Sequence, residues 1–189
     1  GHVACRSWRA VLDFLPPQGS RRDTPCTGRY AASRNRERRM SAWEQLAAMV
    51  GTEVSLSDWL EIDQDRIDRF ADVTGDHQWI HVDRARAAAG PFGTTIAHGF
   101  LSLSLLPMLS GNVALSVPGV VGGLNYGIDK LRFLTPVKCG ARVRTRVKML
   151  ACEEKGPGRL LITNETTMEI EGEDKPALVA INLAMVLLG

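Results

Sequence analysis

The spacing of apolar and polar residues changes character three times along the chain. Up to residue 39 the apolar positions follow no period, Pro16-Pro17 breaks the chain and arginines are scattered throughout, so 1–39 reads as a tail or linker. At Met40 the pattern becomes helical: "MSAWEQLAAMV" begins an amphipathic helix, and "GTEVSLSDWLEI" follows as a short alternating strand. Asp63 predicts the cap of a second helix, in which Ile67, Phe70, Ala71 and Thr74 keep helical spacing until Gly75 stops it. Asp83 to Gly90 repeats the device with an Ala-rich turn. The segment between, "TGDHQWIHVD" from Thr74 to Asp83, is predicted as a loop between two short helices, where side chains converge on a site instead of filling a core.

From Gly90 to Gly111, "GPFGTTIAHGFLSLSLLPMLSG" predicts a helix that starts at Thr94 or Thr95 and is apolar nearly all round. A helix of that kind is buried, which makes it the centre of the fold, and Pro107 kinks it or marks its last turn. Beyond Gly119 the period becomes two. "VVGGLNYGIDKLRFLTPV" reads as a strand with a bend; "ARVRTRVKMLACEE" sets Val143, Thr145, Val147 and Met149 against Arg142, Arg144, Arg146 and Lys148; "RLLITNETTMEIEGE" alternates Leu160, Ile162, Asn164, Thr166, Met168 and Ile170 against a more polar set. "KGPG" and "GEDKP" supply turns, and the chain ends on a strand. Helices first and an antiparallel meander after them predict an α+β domain over 40–189, one long sheet wrapped over one buried helix.

With 44% hydrophobic and 23% charged residues in a chain of 189, the composition is that of a soluble globular protein of one core. The net charge of +2 is uneven, because residues 1–39 hold nine Arg against three acids and the rest therefore carries −4. That extension has three readings: a targeting peptide, a nucleic-acid tether, or upstream sequence translated ahead of a start at Met40, with Gly1-His2 a cloning remnant. No apolar run reaches the roughly 18–20 residues needed to span a bilayer, and the last segment, "ALVAINLAMVLL", is interrupted by Asn182. Cys5, Cys26, Cys139 and Cys152 show neither a disulfide framework nor zinc-ribbon spacing, which fits a reducing cytoplasm. The Arg142, Arg144, Arg146, Lys148 stripe reads as a solvated sheet face in preference to a nucleic-acid footprint, since no aromatic residues interleave with it.

Chemistry concentrates in two places. Asp76 and His81 stand five apart across a loop that holds Trp79 and Ile80, so a carboxylate and an imidazole can meet at one water and move its protons. The competing reading makes Asp76 a turn residue and His81 a cap of the next helix; a metal held by His77 and His81 is a third, disfavoured because no further ligand cluster is evident. The second place is "TIAHGF", where Gly99 near a helix start lets a carbonyl oxygen approach a backbone N–H, an oxyanion hole in outline. Close packing inside a buried helix would equally account for Gly99.

At these residues the chain resembles a known family. "FADVTGDHQWIHVD", "GPFGTTIAHGF" and "NYGIDKLRFLTPV" look like the MaoC-like hot-dog proteins, the (R)-specific enoyl-CoA hydratases, and most closely the subgroup similar to nodulation protein N. The likeness runs from about Met40 to Gly189. Its motif is Gly-Asp, a spacer with Asn-Pro, then His; Gly75-Asp76 and His81 fit, whereas Gln78 and Trp79 replace Asn-Pro. Gln78 keeps an amide that can orient water, and Trp79 adds a ring beside the site. The resemblance implies a sheet curled round a central helix and a homodimer with sites at the subunit interface. It further implies reversible hydration of a trans-2-enoyl-CoA to the (R)-3-hydroxyacyl-CoA, with no cofactor besides the CoA substrate and no metal. Asp76 and His81 would act on water, Gly99 N–H on the thioester carbonyl, and Gln78, Trp79, His98, Phe100, Asn125 and Tyr126 would line the site. Alternatives are a thioesterase or acyl-carrier-protein dehydratase on the same fold, or an acyl-CoA-binding module without catalysis.

Overall fold

A computed structural model describes residues 40–189 apart from 112, so the Arg-rich extension lies outside the described residues. Helix α1, Ala42–Ala47, starts because Ser41 accepts the Glu44 N–H while the Glu44 carboxylate accepts the Ser41 N–H, a reciprocal capping box. Helix α2, Gln64–Thr74, is bounded as the sequence predicts: the Asp63 carboxylate accepts the Arg66 N–H at 2.9 Å, and Gly75 ends the helix at φ 76°. Its Ile67 and Ala71 are fully buried. Helix α4, Arg84–Ala88, is capped by Asp83 in the same way. The expected loop between them is only partly a loop, because Trp79–Val82 forms one helical turn, α3.

The central helix begins later than its threonines suggest. Helix α5 runs Gly99–Ser104 and α6 runs Leu106–Leu109, with a 3-10 turn at Val113–Ser116. Thr95 to Ala97 cannot join α5, since their backbone groups are spent on distant partners: Ile96 N–H on Ile80 O (3.0 Å), Ala97 N–H on Val137 O (2.7 Å), and Thr95 O on the Cys139 N–H (2.9 Å). Pro107 sits in the first turn of α6, where its missing N–H is no loss. One expectation needs correcting. Gly99–Ser116 spans 18 residues at a mean hydropathy of 1.4, so by length and composition alone it is apolar enough to cross a membrane. The fold divides it at Leu105 into two short helices and turns it at Gly111, φ 50°.

Strands β1 (Glu53–Leu56), β2 (Leu60–Glu61), β3 (Val120–Phe133), β4 (Arg142–Glu154), β5 (Arg159–Ile170) and β6 (Leu178–Leu188) make one antiparallel sheet of order β1-β4-β5-β6-β3, with β2 also on β4. "GTEVSLSDWLEI" is thus two strands. Only β4 to β6 form the expected meander. β3 crosses to the far edge and pairs with β6, because the segment after it, through Val137 and Cys139, is stitched to Thr95–Ala97 at the base of α5.

The period-two reading of β4 holds: Val143, Thr145, Val147 and Met149 are all buried. The three arginines of its basic face are ion-paired, Arg142 with Glu171 just past β5 at 3.0 Å, and Arg144 (2.6 Å) and Arg146 (2.9 Å) both with Glu169. Burial works against ionising Glu169, yet the hydrogen bonds from Arg144 and Arg146 hold its carboxyl below the usual range. This is a solvated, ion-paired sheet face.

The inner face carries two apolar clusters. One joins α2 and α5 to the sheet through Ile67, Leu101, Leu105, Val143, Met168 and Leu178; the other joins α1 through Leu46, Met149, Leu160, Ile162 and Val186. At roughly 1.5–3 kcal/mol per fully buried large aliphatic side chain, these clusters are the main source of stability. Between them lie Thr166, Asn164 and Asn182, at inward positions where the alternation would otherwise place aliphatics.

Candidate functional site

Asp76 stands just past Gly75, at the end of α2, and His81 lies within α3. The turn Asp76–Gln78 is closed loosely, the Asp76 carboxylate accepting the Gln78 N–H at 3.4 Å. His81 is buried, and its Nδ1 lies 2.7 Å from Ile96 O. A carbonyl can only accept, so Nδ1 carries the proton and Nε2 is left with its lone pair. Burial pushes the His81 pKa below 6.5; the Ile96 carbonyl opposes this, the neighbouring His98 adds to it and Asp76 opposes it. A neutral imidazole presenting Nε2 is the favoured state.

His98 holds the other side. Its ring stacks on His81 at 3.7 Å between centroids and 25° between planes, with Phe70 tilted against it at 5.0 Å. His98 Nε2 donates to Asp76 O at 2.9 Å, which fixes the loop of Asp76 against the start of α5, and leaves the buried Nδ1 without a partner. Ligand atoms of Asp76, His81 and His98 all lie within 4.8 Å of one another. Two imidazoles stacked nearly parallel make a poor pair of ligands for one ion, because each lone pair lies in its own ring plane. His77, the partner imagined for His81 in a metal site, is exposed and turned toward Asp72 at 3.8 Å.

Gly99 is the first residue of α5, and no side chain caps that helix. A Cβ there would come within 3.2 Å of the Phe133 ring. A pocket of about 290 Å³ opens at this point, lined by His81, Gly99, Ser102 and Phe133 among others. His81 and Gly99 therefore share one opening, with Asp76 beside His81.

The remaining expected residues divide. His98 belongs to the centre of the site. Phe100 is exposed and meets Phe133 edge-on at 5.9 Å, on the rim. Asn125 lines a second, larger cavity, and Tyr126 is exposed on β3. Gln78 is exposed at the start of α3 and makes no side-chain cap. Trp79, expected to add a ring beside the site, packs that ring against Gly90, with the Arg86 guanidinium 4.4 Å above it.

Two residues escaped the sequence reading. Gln64, buried in the first turn of α2, donates to His81 O at 2.8 Å and accepts from the Thr95 hydroxyl at 2.5 Å. Together they lock α3 to α2 and to the strand-like segment that leads into α5. The signal available was a polar residue at a position that helical spacing turns inward, three before Ile67.

Comparison with known proteins bears on the family and the fold. Residues 45–171 match the MaoC-like domain family. The chain is 53% identical over 135 residues to 3-hydroxyacyl-thioester dehydratase Z of Mycobacterium tuberculosis, covering 71% of this chain and 89% of that protein. It is 49% identical over 132 residues to nodulation protein N of Rhizobium leguminosarum, covering 69% and 82%. Among solved structures, the (R)-hydratase from A. caviae superimposes with a TM-score of 0.58 at 28% identity, over 74% of this chain and 96% of that one. The antiparallel sheet packed on a central helix is the hot-dog fold, and the chain belongs to the MaoC-like domain family, in its nodulation protein N-like branch.

Proposed function

We propose that this protein is a hydratase/dehydratase acting on acyl thioesters, catalysing the reversible addition of water to a trans-2-enoyl-CoA to give the (R)-3-hydroxyacyl-CoA. The observation that carries this is a buried His81, with Nε2 left as acceptor, lining one pocket with Gly99, while a carboxylate oxygen of Asp76 lies within 4.8 Å of the His81 ring nitrogens. Names of the relatives, a 3-hydroxyacyl-thioester dehydratase and an (R)-hydratase, support the same class. The Gly99 N–H would donate to the thioester carbonyl oxygen and stabilise the charge that gathers there as water oxygen bonds to the β carbon. Asp76 and His81 act as a unit, taking one proton from that water and returning one to the α carbon on the same face. No cofactor is needed on this reading, since backbone and water supply both halves of the addition.

The long edge strand β3 supports a homodimer. It exposes Val121, Leu124, Tyr126 and Ile128 along its outer course, an uncovered apolar edge of the kind that pairs with a second copy. The unpaired thiols of Cys139 and Cys152 suit a reducing cytoplasm.

The experiment is hydration of crotonyl-CoA, followed by loss of the conjugated thioester absorbance. Asp76→Asn and His81→Gln, each shown to be folded by circular dichroism, are expected to lose about 10²-fold or more in rate, in line with removal of acid-base catalysis. The double variant should lose far less than the product of the two. Wild-type rates in the folded single variants would remove the assignment.

A further inference from the structure

The larger cavity has a chemistry that the hydration reaction does not use. It measures about 540 Å³, within the size range of small-molecule sites, and lies between the α5–α6 segment and the inner face of the sheet. Its walls are mostly aliphatic, with Leu103, Leu106, Met149, Ile162 and Val186 among them. Across the sheet side runs a polar band. Asn164 and Asn182 are directly paired across β5 and β6 and both line the cavity. Thr166, 1% exposed, donates its hydroxyl to Asn182 Oδ1 at 2.7 Å. Asn164 Oδ1 is buried and has no hydrogen-bond partner.

An amide oxygen left unpaired in a core is destabilising, and native interiors rarely tolerate one. Here it interrupts the apolar alternation of β5 between Ile162 and Met168, on the seam between the two hydrophobic clusters. Leucine at both asparagine positions would join those clusters and fill part of the void. The band is therefore a feature of the cavity and not of the core. An unpaired carbonyl oxygen calls for a donor, and Asn182, fixed by Thr166, keeps its own NH2 for an acceptor; a hydroxyl group offers both.

The cavity begins at Leu103, four residues along α5 from Gly99, about 6 Å at the rise of a helix. We propose that it receives the acyl chain of the thioester, and that Asn164 and Asn182 read a hydroxyl carried on that chain beyond the reacting carbons. The substrate class is then a hydroxylated enoyl thioester and not a plain fatty acyl one. This rests on the acyl-thioester reading of the site at Asp76, His81 and Gly99.

The test compares kcat/KM of the wild-type protein on crotonyl-CoA, on an eight-carbon trans-2-enoyl-CoA, and on the same compound hydroxylated at single carbons of its distal half. At least one hydroxylated compound is expected to be preferred over the unsubstituted chain by about 10-fold or more, since a site built to bond a hydroxyl rejects the analogue lacking it. Asn164→Leu should reverse that preference toward the unsubstituted chain. Hydration of crotonyl-CoA with no preference for any hydroxylated chain would overturn the inference and leave the proposed reaction standing. No hydration of any compound would overturn both. The wild-type comparison decides the matter even where Asn164→Leu does not fold, and a preference unchanged in the folded variant would take the role away from Asn164.

Discussion

Replacing Gln64 by leucine tests whether His81 is held from behind, and the structure fixes the size of the effect. Leucine is close to glutamine in volume, so packing in the first turn of α2 is nearly conserved while three hydrogen bonds disappear: to His81 O, to Asp68 and from Thr95. Asp68 is partly exposed and can turn to water; His81 O and the Thr95 hydroxyl are buried and cannot. Two buried groups left unpaired cost about 1–3 kcal/mol each, against which an added buried aliphatic side chain returns about 1 kcal/mol, for a net loss of roughly 1–5 kcal/mol. For a chain of this size that lowers Tm by roughly 2–20 °C. Thr95→Val leaves only Gln64 Oε1 unpaired and should cost about 1–2 kcal/mol. In the double variant the Thr95 hydroxyl and Gln64 Oε1 vanish together, so the combined loss should fall short of the sum by roughly 2–5 kcal/mol. Urea unfolding of the four proteins measures this, and the hydration rate should fall with Gln64→Leu as α3 loosens. Strict additivity, or an unchanged Tm for Gln64→Leu, would show that the lock does not exist.

Other expectations follow from the same geometry. His81 is neutral in both folded and unfolded states well above pH 6.5; as pH falls below 6.5 the unfolded chain takes up the proton first, because burial lowers the folded pKa, so stability declines until the folded His81 also protonates. His81→Gln should remove that part of the pH dependence, as read by urea unfolding across pH 5–8. Gly99→Val sets side-chain atoms against Phe133, 3.2 Å away already for a Cβ, and across the approach to the backbone N–H, so kcat should fall and KM rise together in steady-state assays. Tyr126→Asp with Ile128→Asp on the exposed edge of β3 should give a monomer by light scattering with little activity; a wild type that is fully active and only monomeric would refute the dimer.

Much of this was legible locally. Asp63 and Gly75 bound α2 because a cap and a left-handed glycine act on their own turn, and β4 alternates because every second residue faces the core. What could not be read depends on distant partners. Thr94 and Thr95 look like caps, yet the Thr95 hydroxyl is taken by Gln64, 31 residues earlier, and the neighbouring backbone by Ile80 and Val137. β3 looks like the first strand of a meander, but its place beside β6 is decided by the stitching of the next segment to the base of α5. Trp79 looks like a wall of the site because it lies between Asp76 and His81 in sequence, whereas one helical turn rotates its ring onto Gly90.

The start of α5 shows where a local rule is broken and what the breach allows. Helices α1, α2 and α4 each begin with a side-chain cap, from Ser41, Asp63 and Asp83, that satisfies an otherwise orphaned amide. α5 begins with His98, whose ring makes no cap and is turned instead to the Asp76 carbonyl. Serine or aspartate there would stabilise the helix by about 1 kcal/mol, occupy a backbone donor in doing so, and release the loop that carries Asp76. A cap of that kind would take the Leu101 N–H, as Asp63 takes that of Arg66, and would leave the Gly99 N–H where it is; histidine forgoes the cap's stability and ties the Asp76 loop to the residue before Gly99. On the proposed reading, the cap position is thus the point at which the Asp76 loop and the Gly99 N–H are fixed to each other, which accounts for a buried, half-unsatisfied imidazole in a place where a small polar residue would fold better.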